Sequence, residues 1–226
     1  LVCIALAICL VSGGMLYIRQ KNYSKKWSLI YIPKTEDGTN DFWTSLISGT
    51  RMAALECGAS LEILAPRREQ DVEMQNRLLK KAIEKQPDAI LFSPSSFDAS
   101  DELLQEARDK GIKITFIDSY TEKNIQDLTV ATDNLDAGKQ LGEYARTLVN
   151  KDSKIAIVCH VKGVSTAVER EQGFREGLGD YNKNVVDVVY CNSQFDKAFQ
   201  LTEELMEKYT DLEMIAGMNE YSSVGA

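Results

Sequence analysis

Polar and aromatic side chains follow the predicted strands of this chain at the points where the strands end. The set consists of Asn40, Phe42, Trp43, Ser93, Asp118, Thr132 and Asn219. Hydroxyl, amide and carboxylate groups hydrogen-bond to hydroxyl-rich ligands, and a flat aromatic ring covers the apolar face of a sugar ring. Because the carboxyl ends of parallel strands meet at one edge of a sheet, this pattern predicts a small-molecule site there.

Each of these residues also has a purely structural explanation. Asn40 could cap a helix, Asp118 could form a turn, and the rings of Phe42 and Trp43 could belong to the core. The occurrence of the whole set at one predicted edge favours a binding site over seven separate structural roles.

The architecture is clearest in one strand–helix–strand stretch, Asp88 to Asp118. An apolar run, Ala89 to Phe92, leads through a polar turn into an amphipathic helix that ends at Gly111. A second apolar run, Ile112 to Ile117, ends in Asp118. Apolar strands joined through helices indicate a parallel sheet that is covered on both faces.

The same alternation of strands and helices continues on both sides of this stretch. Further strands are predicted at 28–32, 61–64, 129–132, 155–158, 185–190 and 214–218. We therefore predict an α/β protein with two doubly wound parallel-sheet lobes, 27–132 and 133–226, bridged by the short strand Thr129 to Thr132. The second lobe has fewer units than the first, so we expect it to be incomplete and the protein to continue beyond Ala226.

The segment 1–26 differs from the rest of the chain. Leu1 to Ile18 is an apolar run of about the length of a membrane span, and basic residues follow it. An uncleaved membrane anchor and the core of a secretory signal both fit this pattern, and we favour the anchor. Because Leu1 is not a methionine, we also expect residues before it.

Charge and residue content argue against several functions. The net charge is −8, and removing the four positive charges of 1–26 leaves −12 on the body, which disfavours nucleic-acid binding. Cys57, Cys159 and Cys191 form no CxxC pair, so we predict no metal site and expect all three in the core. His160, the only histidine, follows an apolar strand. It could contact a ligand, but we expect a solvated turn residue.

Phosphate-binding loops, dinucleotide fingerprints and nucleophile elbows are absent from the sequence. No cofactor is predicted, and nothing in the residues argues for an enzyme, although one is not excluded.

Several short motifs together resemble those of the type I periplasmic sugar-binding proteins, the ribose- and galactose-binding group. The matching stretches are Asn40-Asp41-Phe42-Trp43, Ser93-Pro94, Ile117-Asp118, Thr132-Asp133-Asn134 with Ala137-Gly138, Arg170-Glu171-Gln172-Gly173-Phe174, Phe195-Asp196 and Asn219-Glu220. The resemblance covers about Trp27 to Ala226 and is specific as a set.

The resemblance implies a two-lobed clamp that closes on a sugar by hinge bending. Phe42, Trp43 and Phe195 would stack on the sugar ring. The hydroxyl-bonding residues would be Asn40, Ser93, Asp118, Thr132 and Asn219. Val168 stands where ribose binders carry a ligand-contacting arginine. Thr166 could fill that gap, and Arg170 is either a further ligand contact or a helix-packing residue.

The resemblance further implies an extracytoplasmic protein, held at the membrane by 1–26, that delivers a sugar or polyol to an ABC transporter permease or reports it to a sensor kinase. Two alternatives remain open. One is the effector-binding region of a lactose-repressor-type regulator, which the apolar N-terminus disfavours. The other is an α/β enzyme acting on a sugar.

Overall fold

A computed structural model describes residues 26–38 and 40–226, which form two parallel sheets. The strands are β1 (Ser28–Ile32), β2 (Ser60–Ile63), β3 (Ala89–Phe92), β4 (Lys113–Ile117), β5 (Leu128–Val130), β6 (Lys154–Cys159), β7 (Val185–Tyr190) and β8 (Leu212–Gly217). The helices are α1 (Asp41–Glu56), α2 (Val72–Glu84), α3 (Asp101–Asp109), α4 (Asn134–Arg146), α5 (Ser165–Leu178), α6 (Phe195–Lys208) and α7 (Glu220–Gly225). The predicted α/β class with parallel sheets is confirmed.

The first lobe is built on a five-stranded sheet in the order β2-β1-β3-β4-β5, in which neighbouring strands are parallel. Alternate residues of the central strands, such as Ile90 and Phe92 of β3, form one buried layer. Leu79 of α2 and Leu104 of α3 pack against that layer. Strands that are apolar along their whole length are explained by helices that cover the sheet.

The second lobe is built on a three-stranded parallel sheet in the order β7-β6-β8. Its central strand β6 is apolar on both faces because helices cover both. Ile157 packs in a cluster with Phe174 of α5, whereas Val158 packs on the other face with Ala198 of α6. The carboxyl end of this strand leads directly to His160.

The strand that was predicted to bridge the two lobes belongs to the first sheet. The strand covers Leu128 to Val130 rather than Thr129 to Thr132, and it pairs with β4 as the edge strand of the first sheet. The pairing ends where β4 ends, since Asp118 N donates to Val130 O at 2.9 Å. Thr132 follows in exposed backbone, just before Asp133 caps α4.

The cysteine prediction holds for two of three residues. Cys159 and Cys191 are buried, as expected, but Cys57 is exposed. Cys57 is the C-cap of α1, and the chain turns away at Gly58, which has a φ of +65°. The side chain therefore lies beyond the last helical turn that packs on the sheet.

Helices α4 and α5 make the most extensive helix–helix contact of the described residues. Gly138 and Gly142 of α4 meet Gly173 and Gly177 of α5. A Cβ atom built at Gly142 would lie 2.1 Å from the carbonyl oxygen of Phe174, and one at Gly173 would lie 2.0 Å from that of Leu135. Backbone therefore touches backbone, and only glycine fits.

The apolar run Leu1 to Ile18, predicted to be a membrane anchor, lies outside the described residues. Within 26–38 and 40–226, no helix combines the length and the apolar character that a bilayer crossing requires.

Candidate ligand-binding site

The carboxyl ends of the two sheets border a cleft with a volume of about 160 Å³. The first lobe lines it with Lys34, Phe42, Trp43, Glu69 and Asp118, and the second lobe lines it with His160, Thr166, Arg170, Asn219, Glu220 and Tyr221. The cleft lies where ligands bind to open parallel sheets. Both lobes therefore contribute to one site.

Aromatic rings form one wall of the cleft because α1 starts there. The Asn40 side chain accepts a hydrogen bond from Trp43 N at 3.1 Å and so caps this helix. Phe42 and Trp43 fall in the first turn, with ring centroids 5.0 Å apart and planes at 88°. Tyr221 of the second lobe lies close to the Phe42 backbone. The wall thus presents apolar ring surface suited to a sugar face.

A buried ion pair lies next to this wall. Lys34 follows β1 and is only 2% exposed, and its Nζ lies 3.0 Å from Oδ2 of Asp118. The same Nζ lies 5.5 Å from the centroid of the Trp43 ring, within the range of a cation–π contact. Asp118 adopts a left-handed φ of +71°, which is uncommon outside glycine and typical of constrained sites.

Glu69 is a second buried carboxyl group at the cleft. Its Oε1 accepts a hydrogen bond from Asn40 Nδ2 at 3.1 Å. Burial raises the pKa of Glu69 above its ordinary value, while the Lys34 cation and the side chains of Trp43 and Ser193 oppose that shift. This carboxyl group therefore lies beside the site, close to residues of both lobes.

The second lobe supplies a polar wall. His160 Nε2 and Thr166 Oγ1 are 2.8 Å apart. Arg170 donates from Nε to Asn134 Oδ1 and from Nη1 to the Met218 carbonyl oxygen, each at 2.8 Å. Burial first, and then the positive charges of Lys34 and Arg170, lower the pKa of His160 to about 3. The imidazole is therefore neutral at physiological pH.

Six of the ten residues proposed from the sequence line the cleft, and four do not. The lining residues are Phe42, Trp43, Asp118, Thr166, Arg170 and Asn219. Asn40 is buried and holds α1 and Glu69 in place. Ser93 is fully buried, with its hydroxyl 3.1 Å from that of Tyr31. Thr132 is exposed beyond the edge strand. Phe195 packs against Tyr221, with ring centroids 4.7 Å apart and planes tilted by 45°.

Five lining residues were not among those proposed from the sequence, namely Lys34, Glu69, His160, Glu220 and Tyr221. The position of His160 after a strand suggested a ligand contact, but a solvated turn was preferred. Lys34 stands two residues after the end of β1, so the positional rule that selected Asp118 could have selected it as well.

The expectation of a solvated turn at His160 was wrong. The residue is 5% exposed, because Val161 and Val164 fold into a small buried cluster with Ala167 and close the turn over it.

The buried histidine predicts a specific acid sensitivity. The pKa of His160 is about 3 in the folded chain and about 6.5 when unfolded, so its contribution to stability is complete above pH 6.5 and is lost as the pH falls towards 3. The loss amounts to about 1.4 kcal/mol per pH unit. We expect His160→Gln to remove this dependence, which urea unfolding at pH 7 and pH 5 would measure.

Comparing His160→Gln with the wild type cancels the effects of groups that titrate in both proteins. Glu69 is one such group, and its raised pKa makes the protein more stable, not less, as the pH falls. Parallel stability curves for the two proteins between pH 7 and pH 5 would contradict the prediction.

A model of the periplasmic binding protein domain matches residues 31–226, and the chain belongs to this family. A sugar transporter from Clostridium phytofermentans, known from a crystal structure, is 40% identical with a TM-score of 0.86 over 89% of this chain and 74% of that chain. The resemblance inferred from the motifs is thereby confirmed.

More distant relatives are also binding proteins of this fold. The ribose import binding protein of Bacillus subtilis strain 168 is 24% identical over 187 residues, which is 83% of this chain and 60% of that protein. A carbohydrate transporter solute binding protein from Agrobacterium radiobacter, crystallised with D-arabinose, is 22% identical with a TM-score of 0.79 over 89% of this chain and 70% of that chain. The chain spans about three fifths of the length of the curated relatives that it matches.

Proposed function

We propose that the protein binds a monosaccharide, or a polyol of similar size, in the cleft between its lobes and presents it to an ABC transporter. The observation that carries this proposal is the composition of the cleft, in which the aromatic wall of Phe42, Trp43 and Tyr221 faces hydrogen-bonding groups from the other side. Rings over an apolar face and polar groups around the edge are the contacts that a sugar requires.

The size of the cleft supports a single sugar ring. Its volume of about 160 Å³ is well below the roughly 300–1,000 Å³ of pockets that hold drug-sized molecules. A disaccharide would need more room than these walls leave.

The charges at the cleft support an uncharged ligand. The positive charge of Lys34 is paired with the negative charge of Asp118, and His160 is neutral at physiological pH. Two N–H groups of Arg170 are already bonded within the second lobe. The lining combines two cationic side chains, Lys34 and Arg170, with three carboxyl groups, so that neither sign of charge dominates the cleft.

Contacts across the cleft support binding by closure. Phe97 N donates to Gly163 O at 2.9 Å, and Tyr120 N donates to Ser165 Oγ at 3.1 Å. The Tyr120 hydroxyl also donates to the Glu169 carboxylate. Each bond joins the first lobe to the second. We infer that a ligand touching both walls adds to these contacts and so favours the closed arrangement.

The relatives support transport rather than the two alternatives. The relatives named above are sugar-transport and solute binding proteins, so we infer binding without turnover. Their names also favour an import permease over a sensor kinase as the partner. An extracytoplasmic location follows from this function. Attachment to the membrane through 1–26 remains part of the proposal.

Sugar binding predicts a large gain in thermal stability. A ligand at about 100 times its dissociation constant adds roughly 2.7 kcal/mol to the free energy of unfolding. We expect at least one sugar from a panel of D-ribose, D-allose, D-arabinose, D-fucose and D-tagatose to raise the melting temperature of the full-length protein. No shift with pentoses, hexoses or polyols would overturn the proposal.

A matched pair of variants localises the binding to the cleft. Phe42 and Leu55 both lie on α1 and are 44% and 81% exposed, but only Phe42 lines the cleft. Phe42→Ala should weaken the sugar-induced shift, whereas Leu55→Ala should leave it unchanged. Equal effects of the two substitutions would place the ligand elsewhere.

A further inference from the structure

We propose that His160, held by Thr166, is a specificity-determining contact that binds one hydroxyl group of the ligand. The inference rests on the sugar-binding function proposed above and names a residue that neither the motifs nor the resemblance assigned to the ligand.

The geometry points to a vacant hydrogen-bonding position. His160 Nδ1 is buried and has no hydrogen-bond partner among the described residues. Leaving a buried polar atom unpaired costs about 1–3 kcal/mol, so such atoms are rare and need an explanation. Of the five unpaired side-chain atoms found in the described part of the chain, only this one belongs to a residue that lines the cleft.

The other ring nitrogen is already fixed. Nε2 lies 2.8 Å from Thr166 Oγ1, and Thr166 is anchored in the first turn of α5. The ring therefore has one nitrogen engaged by the protein and one without a protein partner, in a residue that lines the cleft. A histidine that served only packing would not need this arrangement, because an apolar residue of similar size would avoid the unpaired nitrogen.

The protonation state defines the chemistry of the partner. A neutral imidazole carries one donor and one acceptor nitrogen, and Thr166 can satisfy Nε2 in either role. Nδ1 is then a donor in one tautomer and an acceptor in the other. A hydroxyl group fits both tautomers, because it donates and accepts. A carboxylate or phosphate oxygen fits only one tautomer, and an ammonium group fits only the other.

The surroundings of His160 favour the neutral form of its imidazole ring. Burial disfavours the protonated ring most, and the positive charges of Lys34 and Arg170 add to this effect. The acidic groups of the cleft are Glu69, Asp118 and Glu220. Of these, Asp118 is paired with Lys34, and Glu69 is hydrogen-bonded to Asn40. Ligand recognition by His160 therefore does not require a protonated ring near neutral pH.

Long-range ¹H–¹⁵N spectra provide a direct spectroscopic test. In the full-length protein, purified without a histidine tag, the Nδ1 and Nε2 signals of His160 are identified as those that disappear in His160→Gln. The probe is the monosaccharide that gives the largest thermal shift. We expect its addition to move the Nδ1 resonance and to leave Nε2 nearly in place. An Nδ1 resonance that does not move at saturation would overturn the inference.

Two substitutions separate the two nitrogens. His160→Gln places a polar atom near the Nε2 position and can keep the bond to Thr166, but it removes the group at Nδ1. His160→Asn does the reverse. We expect the dissociation constant to rise about 10- to 100-fold in His160→Gln and clearly less in His160→Asn. The opposite order would mean that the bond to Thr166, rather than Nδ1, matters for binding. No change in either variant would mean that neither nitrogen contributes, and both outcomes would overturn the inference.

Deoxysugars complete the test. The deoxy analogue that lacks the recognised hydroxyl should bind the wild type and His160→Gln with equal affinity, whereas the parent sugar should discriminate between them. Failure of every sugar to bind the wild type would overturn this inference together with the proposed function. Binding that is unaffected in both His160 variants would overturn this inference alone.

Discussion

Gly142→Ala is expected to destabilise the second lobe by about 3 kcal/mol or more. The new methyl group would lie 2.1 Å from the Phe174 carbonyl oxygen, a backbone atom that no rotamer change can move. Helices α4 and α5 would have to separate, and overpacking of this kind costs up to about 3 kcal/mol and occasionally more. Urea unfolding of the full-length protein would measure the change.

Gly49 provides the matched control. It lies inside α1, and a Cβ atom added there would have no heavy atom within 4 Å, so Gly49→Ala meets no obstacle. Because alanine is the better helix former, we expect this variant to gain up to about 1 kcal/mol. A Gly142→Ala protein as stable as Gly49→Ala would show that the helices can move apart without cost.

Asp118→Asn is expected to cost about 3 kcal/mol, since removing one partner of a buried ion pair leaves the other charge uncompensated. The Lys34 side chain is 2% exposed and cannot reach water to replace its bond to Asp118. Asparagine keeps the volume and tolerates the left-handed backbone at this position. The loss of stability would therefore result from the removed charge and not from a change in side-chain size. Chemical denaturation would measure the free energy of unfolding.

Two further variants check the cause. Lys34→Met combined with Asp118→Asn removes both charges and should recover most of the lost stability. Arg77→Met breaks the exposed pair with Glu73, whose side chains are 60% and 84% exposed, and should cost less than about 0.5 kcal/mol. A double variant no more stable than Asp118→Asn would rule out an uncompensated charge as the explanation.

Much of the fold could be predicted from the sequence, because local patterns determine it. Alternating apolar runs and amphipathic helices located the strands to within about two residues, and β3 and β7 were predicted with the bounds observed. The rule that ligands bind at the carboxyl edge also selected Phe42, Trp43 and Asp118, which line the cleft.

The remaining site residues depend on contacts that are distant in sequence. Burial of Lys34 is favourable only because Asp118, 84 positions away, supplies the opposite charge. Thr132 does not line the cleft because the edge strand ends two residues earlier, at Val130. Ser93 does not line it either, because its hydroxyl bonds inward to Tyr31 on the neighbouring strand. None of these pairings is visible in a local pattern.

The glycine contact between α4 and α5 has a mechanical consequence. If either helix moved along the other by one residue, a side chain would clash with the opposing backbone. The two helices can therefore pack in only one register, and their contact is rigid. Helix α4 directly follows the crossing from the first sheet, and its first residue, Asn134, is bonded to Arg170 on α5. We therefore expect α4 and α5 to move as one rigid unit. A rotation at the crossing would then also displace Thr166 and Arg170, which line the cleft.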